Sequence, residues 1–410
     1  MHHYSWNEKV TFRRFVEVCQ RRIQEALLRY RWQEAAELLR NYFQSLEDKT
    51  TFQRRWAPEV IWRMGTEILL HHPETRDDDI NSFHGQMKNI GLKIYLKVCL
   101  EHAFHMLCGG NLDEAHRGLT VAESWRYGGT YSQQELLKFI QAYRALLDYC
   151  TWCKKRSMMS KEDLEDHTET TVSQDLHNYF RQAFVTMQEI FKNPGVWDPF
   201  VISCVDMLEF YEDHEEALKL LEFYAYDKLF VPNPNAFVYL YTFLKKHQAK
   251  EKAIMKVLKS LHQHVPSHQL MLEFLELLEK SKKQKHCKLG LTVSFTLLDY
   301  PDWKNNLDVW KLLVKQMSKA ANLKHTEWIQ KQWELRINWW PDFHFSASQA
   351  KKNFIEQRSL AYRKALVAGV LQGKGSIYFK CICRRWKSAK KSKLKRMKKF
   401  VVKHSLVQCE

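Results

Sequence analysis

The chain has 410 residues and a formal net charge of +17; 45% of its residues are hydrophobic and 13% are aromatic. This apolar content excludes a largely disordered protein, and only 13 glycines and 9 prolines leave too few turn residues for a typical all-β fold. The sequence has no run of the roughly 18 apolar residues that a membrane span needs, no secretory signal after Met1 and no disulfide framework among its 10 cysteines. These features predict a soluble, intracellular protein without a membrane partner.

Apolar residues recur at helical spacing along nearly the whole chain. One example is the series Leu92, Leu96, Cys99 and Ala103. A period near 3.6 residues places such side chains on one face of a helix, and strand-like alternation is scarce. The pattern therefore predicts an all-α fold.

A short phrase recurs at the predicted turns between helices, where an acid and an alanine are followed by an apolar residue. Its four copies centre on Ala35, Ala115, Ala217 and Ala253. The last two alanines are 36 residues apart, close to the period of about 34 in tetratricopeptide repeats, and a small residue here lets two helices pack closely. We predict degenerate tetratricopeptide-like helical hairpins stacked in a solenoid. The alternative is that the phrase is common to any amphipathic helix.

Changes in composition divide the chain into five predicted segments. Residues 1–153 are predicted to form N-terminal helical repeats, and residues 177–300 central helical repeats, with a polar linker at 154–176. An aromatic-rich helical segment follows at 301–372, and a basic C-terminal tail at 373–410.

Three short motifs come close to known chemical sites, and each one fails. Cys150 and Cys153 lack the second ligand pair of a structural zinc site. The glycines from Gly369 to Gly375 have the wrong spacing for a phosphate loop, and His214 begins an H-E-x-x-H motif whose second histidine is replaced by Leu218. We predict a protein that is not an enzyme, with no catalytic or metal-binding residues and no cofactor.

Positive charge is concentrated at the C-terminal end. Residues 357–409 contain 16 Lys or Arg and no acid. Self-repulsion predicts that this tail is mostly disordered when free in solution. If it became helical, Trp386, Leu394, Met397 and Val401 would share one apolar stripe.

Eleven cations within this tail are predicted to contact nucleic acid or an acidic partner, because Lys and Arg neutralise phosphates and release their counterions. They are Arg384, Arg385, Lys387, Lys390, Lys391, Lys393, Lys395, Arg396, Lys398, Lys399 and Lys403. Two other uses stay open: a nuclear or nucleolar localisation signal, and a docking arm for an acidic protein surface. Lysine runs contact phosphates rather than base edges, so they supply affinity without choosing a sequence.

A cluster of aromatic residues precedes the tail. Trp339, Trp340 and Phe343 are predicted as possible partner-contact aromatics, since large rings often anchor protein interfaces. The alternative is packing in the core, which the helical spacing of several tryptophans favours.

Several longer phrases resemble one known family. They include MKNIGLKIYLK from Met87, NPNAFVYLYTFLKK from Asn233, NWWPDFHFS from Asn338 and KALVAGVLQGKGSIYF from Lys364. Together they are similar to the family of A-type subunits among the TATA-box-binding-protein-associated factors of RNA polymerase I.

The resemblance implies a scaffold subunit of the RNA polymerase I promoter selectivity factor, located in the nucleus and nucleolus. The implied partners are TATA-box-binding protein, the other RNA polymerase I associated factors, the upstream binding factor, the RNA polymerase I initiation machinery and ribosomal gene promoter DNA. The implied role is preinitiation complex assembly in transcription. The alternative is a helical-repeat RNA-binding protein of ribosome biogenesis, although the irregular repeat spacing lacks the regularity of base-reading repeats.

Overall fold

The structure is a computed structural model that describes residues 3–46, 57–90, 94–124, 130–158, 171–228, 231–389 and 391–407. Side chains are described from residue 14 onward within these ranges, apart from residues 171–173, 387–389 and 391. Every regular element in this part of the chain is helical. The all-α prediction is therefore confirmed for the described residues. The chain divides into two compact units, Met1–Glu212 and Asp213–Glu410.

The first unit contains helices that pack on their neighbours in chain order. They are α1 (His3–Leu28), α2 (Trp32–Gln44), α3 (Ala57–His71), α4 (Asp77–Ile90), α5 (Tyr95–Cys108), α6 (Leu112–Glu123), α7 (Tyr131–Met158), α8 (Thr171–Phe191) and α9 (Asp198–Phe210). Their apolar faces form cores around Trp62 and around the predicted stripe of Leu96, Cys99 and Ala103, all of which are buried. Leu92 of that stripe lies outside the described residues.

The second unit also stacks successive helices. They are α10 (His214–Tyr226), α11 (Pro234–Lys246), α12 (Glu251–His264), α13 (Met271–Lys280), α14 (Gln284–Leu298), a 3-10 turn (Pro301–Trp303), α15 (Leu307–Asn322), α16 (Thr326–Glu334), α17 (Trp340–His344), α18 (Ala347–Glu356), α19 (Arg358–Gln372), α20 (Ile377–Ala389) and α21 (Lys391–His404). Helix α19 is buried over most of its length because α15, α18, α20 and α21 all pack against it.

Several helix pairs are joined by the same tight turn. In each, one residue adopts the left-handed conformation, and the next backbone N–H bonds to a carbonyl five residues earlier, which closes the first helix. The left-handed residues are Tyr30, Gly110, Gln248 and Lys324. The four bonds, for example from Arg31 N to Ala26 O, are all 2.9 Å long. This shared turn supports a helical-repeat architecture within each unit.

The alanines of the recurring phrase lie directly after such turns or at similar helix starts. Ala35, Ala115 and Ala217 are completely buried, as close helix packing requires, whereas Ala253 is half-buried. The tetratricopeptide-like spacing itself stays a prediction.

The predicted polar linker at residues 154–176 is helical at both of its ends. Residues 154–158 end α7 and residues 171–176 begin α8, which packs against α7, while residues 159–170 of the predicted linker lie outside the described residues. The five-segment division stays a prediction.

For the predicted basic C-terminal tail, the structure corrects one expectation, that the segment is mostly disordered. The described part of residues 373–407 folds into α20 and α21, and both pack on α19. The expected disorder does not occur in this structure, because apolar side chains within the segment find a partner face on α19.

Candidate nucleic-acid and partner interface

Helices α20 and α21 pack on the rest of the second unit through apolar side chains, one of them on α20 and three on α21. Trp386, Met397 and Val401 are buried and Leu394 is half-buried, as the helical spacing predicts. The backbone N–H of Leu406 also donates to the carbonyl of Val370, at 2.9 Å. The cations of this segment are therefore carried on a fixed helical scaffold.

A glycine on α19 permits the close approach of α21. A Cβ atom on Gly369 would lie only 2.5 Å from Cγ2 of Val401 and 3.1 Å from Cδ2 of Phe379. Any larger residue would overlap these side chains. Gly369, which the sequence offered only as part of a failed phosphate loop, is thus a packing position.

Most of the predicted cations with described side chains are exposed. They are Arg384, Lys393, Lys395, Arg396, Lys398, Lys399 and Lys403, whereas Arg385 is half-buried with its guanidinium 5.6 Å from the Phe354 ring centre. The side chains of Lys387, Lys390 and Lys391 lie outside the described part of the structure. Seven of the eleven predicted residues are thus exposed on α20 and α21.

The cations of α21 occupy two different sides of that helix. A helix turns by about 100° per residue. With Met397 and Val401 facing α19, this rotation places Arg396, Lys399 and Lys403 on the opposite side, which we name the outer cations. Lys398 and Val402 lie on a third side and line a groove shared with α20. The two sides present different chemistry and can serve different partners.

The three predicted contact aromatics separate into different environments. Trp340 is 0% exposed, packs in a stack on Phe295 with ring centres 5.0 Å apart, and cannot contact a partner in this structure. Trp339 is 37% exposed and Phe343 is half-buried beneath Lys304, whose Nζ lies 4.1 Å from its ring centre. The partner-contact interpretation of Trp340 is corrected to core packing, and that of Trp339 and Phe343 stays a prediction.

The buried face of this aromatic cluster contains an ion pair that sequence reasoning missed. Arg336 donates from Nε and Nη2 to the two carboxylate oxygens of Asp299, at 2.8 and 2.7 Å. Trp340 Nε1 donates to Oδ1 of the same carboxylate, at 2.8 Å. Asp299 therefore fixes both a buried guanidinium and a buried indole.

A buried lysine lies next to the same cluster. Lys364 on α19 is completely buried, and its Nζ lies 2.9 Å from Oδ1 of Asn305 and 5.2 Å from the Trp310 ring centre. Burial and the nearby charge of Lys304 lower the pKa of Lys364 to about 7. Burial, followed by the charge of Lys364, lowers the pKa of His344 to about 2. The pocket therefore favours neutral side chains.

Lys364 makes the stability of the second unit depend on pH. Between its pKa of about 7 in the fold and its usual value of 10.5, the unfolded chain binds a proton that the folded chain does not. The free energy of unfolding should therefore rise with pH across this window. Lys364→Met should flatten the rise and stabilise the protein by about 1–3 kcal/mol near pH 7, since Asn305 is exposed and can bind water instead.

Urea titrations followed by tryptophan fluorescence test this prediction. The control is Lys351→Met, which removes an exposed lysine from α18 and should leave the pH dependence unchanged. Loss of stability in Lys364→Met near pH 7 would contradict an energetic cost of burying this amine.

Neither a metal-binding cluster nor a membrane-spanning helix occurs among the described residues. Among the described residues, no group of three or more His, Cys, Asp or Glu side chains is arranged to hold a metal ion. No described helix combines the length and apolar character that crossing a bilayer requires.

Comparison with known proteins identifies the family. The family model for the A subunit of TAF RNA Polymerase I matches residues 25–384. The chain belongs to this family. The family match ends at Arg384, so the outer cations of α21 lie beyond it.

Curated members of the family align with nearly the whole chain. The human (Homo sapiens) A subunit of the TATA box-binding protein-associated factor of RNA polymerase I is 46% identical over 397 residues, which cover 97% of this chain and 88% of the human protein. The Mus musculus protein of the same name matches with the same identity and coverage. Among solved structures, a circular tandem repeat protein with novel repeat topology and enhanced subunit contact surfaces covers 96% of this chain and 69% of its own, at 12% identity and a TM-score of 0.12.

Proposed function

We propose that this chain is a non-catalytic scaffold subunit of the RNA polymerase I promoter selectivity factor. It joins TATA-box-binding protein and the other associated factors at ribosomal RNA gene promoters, in the nucleus and nucleolus. There it supports preinitiation complex assembly with the upstream binding factor and the polymerase. The observation that carries the proposal is 46% identity over 97% of the chain to proteins named as TATA box-binding protein-associated factors of RNA polymerase I.

Co-purification from nuclear extract tests the scaffold role. Tagged full-length chain should recover TATA-box-binding protein together with the other RNA polymerase I associated factors, after nuclease treatment has removed nucleic acid bridges. Recovery of crosslinked RNA without these subunits would reject the scaffold role in favour of an RNA-binding protein of ribosome biogenesis.

As a second part of this proposal, the outer cations contact promoter DNA. Arg396, Lys399 and Lys403 are exposed on the side of α21 that points away from α19. Fixed cations along one helix side suit the regularly spaced phosphates of a duplex, and they release counterions on binding. Such contacts carry no base preference, so promoter choice is assigned to the assembled complex.

The salt dependence of DNA binding tests this contact. Changing Arg396, Lys399 and Lys403 to glutamine should reduce the slope of log affinity against log salt concentration by about 2–3, because each lost phosphate contact removes about 0.9. Fluorescence anisotropy with a short labelled duplex measures the slope.

A matched variant separates local contact from total charge. Changing Lys282, Lys283 and Lys285 to glutamine removes the same charge from an exposed stretch that joins α13 to the first turn of α14. This control should change the slope by less than about 1. Equal slopes for both triple variants would contradict a DNA contact at the outer cations.

A further inference from the structure

A groove between α20 and α21 combines positive charge with apolar surface. It has an open volume of about 450 Å³, within the range of clefts that bind ligands. Its cations are Lys374, Lys380, Arg384 and Lys398, and Phe379 forms part of its apolar lining. The groove is formed entirely within the second unit.

Exposed apolar side chains accompany these cations. Val402 lines the groove and is 60% exposed. Ile377 is 63% exposed and stands three residues before Lys380 and seven before Arg384, so the three residues share one side of α20. Lys398 and Val402 are likewise one turn apart on α21. Each of the two helices therefore carries a solvent-exposed aliphatic residue on the same side as cations that line the groove.

The positive charge of the groove has no internal counter-charge. Residues 357–409, which include both walls, contain no acid. Lys374, Lys380, Arg384 and Lys398 form no ion pair with the described residues. An incoming carboxylate would consequently not have to displace an existing partner.

We infer that this groove binds an acidic segment of a partner protein, with an apolar side chain of that segment seated against Ile377 and Val402 between its flanking carboxylates. Charge complementarity favours an anionic occupant, and the two aliphatic residues favour a peptide over a duplex, whose backbone has phosphates but no apolar side chains to bury. The inference rests on the proposed scaffold role and names the chemistry of one partner contact.

Binding of synthetic peptides to the isolated full-length chain tests the groove. The probe is a short labelled peptide in which glutamates flank a Leu-Phe pair; the control peptide has the same glutamates with serines in place of the pair. We expect the apolar peptide to bind about tenfold more tightly, since both peptides share the charge term and only one buries apolar surface.

Charge reversal on two different sides locates the binding site. Lys380→Glu combined with Lys398→Glu should weaken binding of the apolar peptide about tenfold or more. Arg396→Glu combined with Lys403→Glu makes the same charge change among the outer cations and should weaken it by no more than about threefold. All four positions are exposed, so folding is preserved in both variants.

A matched pair of isoleucine variants tests the apolar contribution to peptide binding. Ile377→Ser should weaken binding of the apolar peptide about fivefold and leave the serine peptide unchanged. Ile355→Ser, at an isoleucine on α18 that is 76% exposed, should alter neither.

Three results would overturn the inference: equal affinity for both peptides, equal losses from the two charge reversals, or duplex DNA binding that depends on Lys380 and Lys398 more than on the outer cations. The last result would make the groove a nucleic-acid site. Co-purification of the subunits alongside any of these results would leave the scaffold role intact, so the two failures are distinguishable.

Discussion

Replacing Asp299 with alanine should lower the free energy of unfolding of the second unit by about 3–5 kcal/mol, because it leaves the Arg336 guanidinium buried without its counter-charge. The same change removes the acceptor of the Trp340 indole N–H. Hydrogen exchange measured on peptides from α14 and α15 reports the local loss of stability. Urea titration of the full chain reports the change in the global free energy of unfolding.

Asp302→Ala is the matched control, because Asp302 is exposed in the 3-10 turn only three residues away. It should change stability by less than about 0.5 kcal/mol. Arg336→Lys should be damaging as well, since an ammonium group cannot reproduce the two-pronged contact with the Asp299 carboxylate. An Asp299→Ala protein as stable as the Asp302→Ala control would show that this pair does not hold the cluster together.

The helical architecture was predictable from the sequence because its cause is local. Apolar spacing is a property of neighbouring residues, and it placed Leu96, Cys99 and Ala103 correctly in a core. The recurring phrase likewise predicted three fully buried alanines. Ala253 differs because burial depends on which helix lies opposite, and that information is not contained in the phrase.

The structure of the C-terminal segment could not be predicted from local sequence patterns alone. Its charge density predicts disorder, yet its stripe of Met397 and Val401 predicts a helix that needs a partner face. The deciding residue, Gly369, lies 32 residues before Val401, and its role is visible only when the two helices are packed.

Like the fold, the candidate site was predictable from the sequence only in its local features. Exposure of the cations follows from their charge, because a lysine is seldom buried without a partner. The division of α21 into an outer side and a groove side depends on α19 and α20, and the Arg336–Asp299 pair joins residues 37 apart in sequence. Helical spacing favoured core packing for several tryptophans, but it does not say which of them reaches Asp299, as the buried Trp340 does.

Replacing Gly369 with leucine should displace α21 from α19 and cost about 3 kcal/mol, at the upper end of the usual cost of overpacking. Even a single added Cβ would stand 2.5 Å from Cγ2 of Val401, and that methyl group is itself buried. Faster tryptic cleavage and faster hydrogen exchange within residues 391–404 would report the displacement. Gly375→Leu is the control, because a Cβ there meets nothing within 4 Å, and it should behave as the unchanged protein.

The same variant separates the two binding proposals. Displacing α21 leaves all its lysines and arginines in the chain, so nonspecific attraction to DNA should persist with a similar salt slope. The groove needs both walls, with Lys380 on α20 and Lys398 on α21 held together, so preference for the apolar acidic peptide should disappear. A Gly369→Leu protein that releases α21 and still prefers that peptide would show that charge and one helix suffice, without the groove.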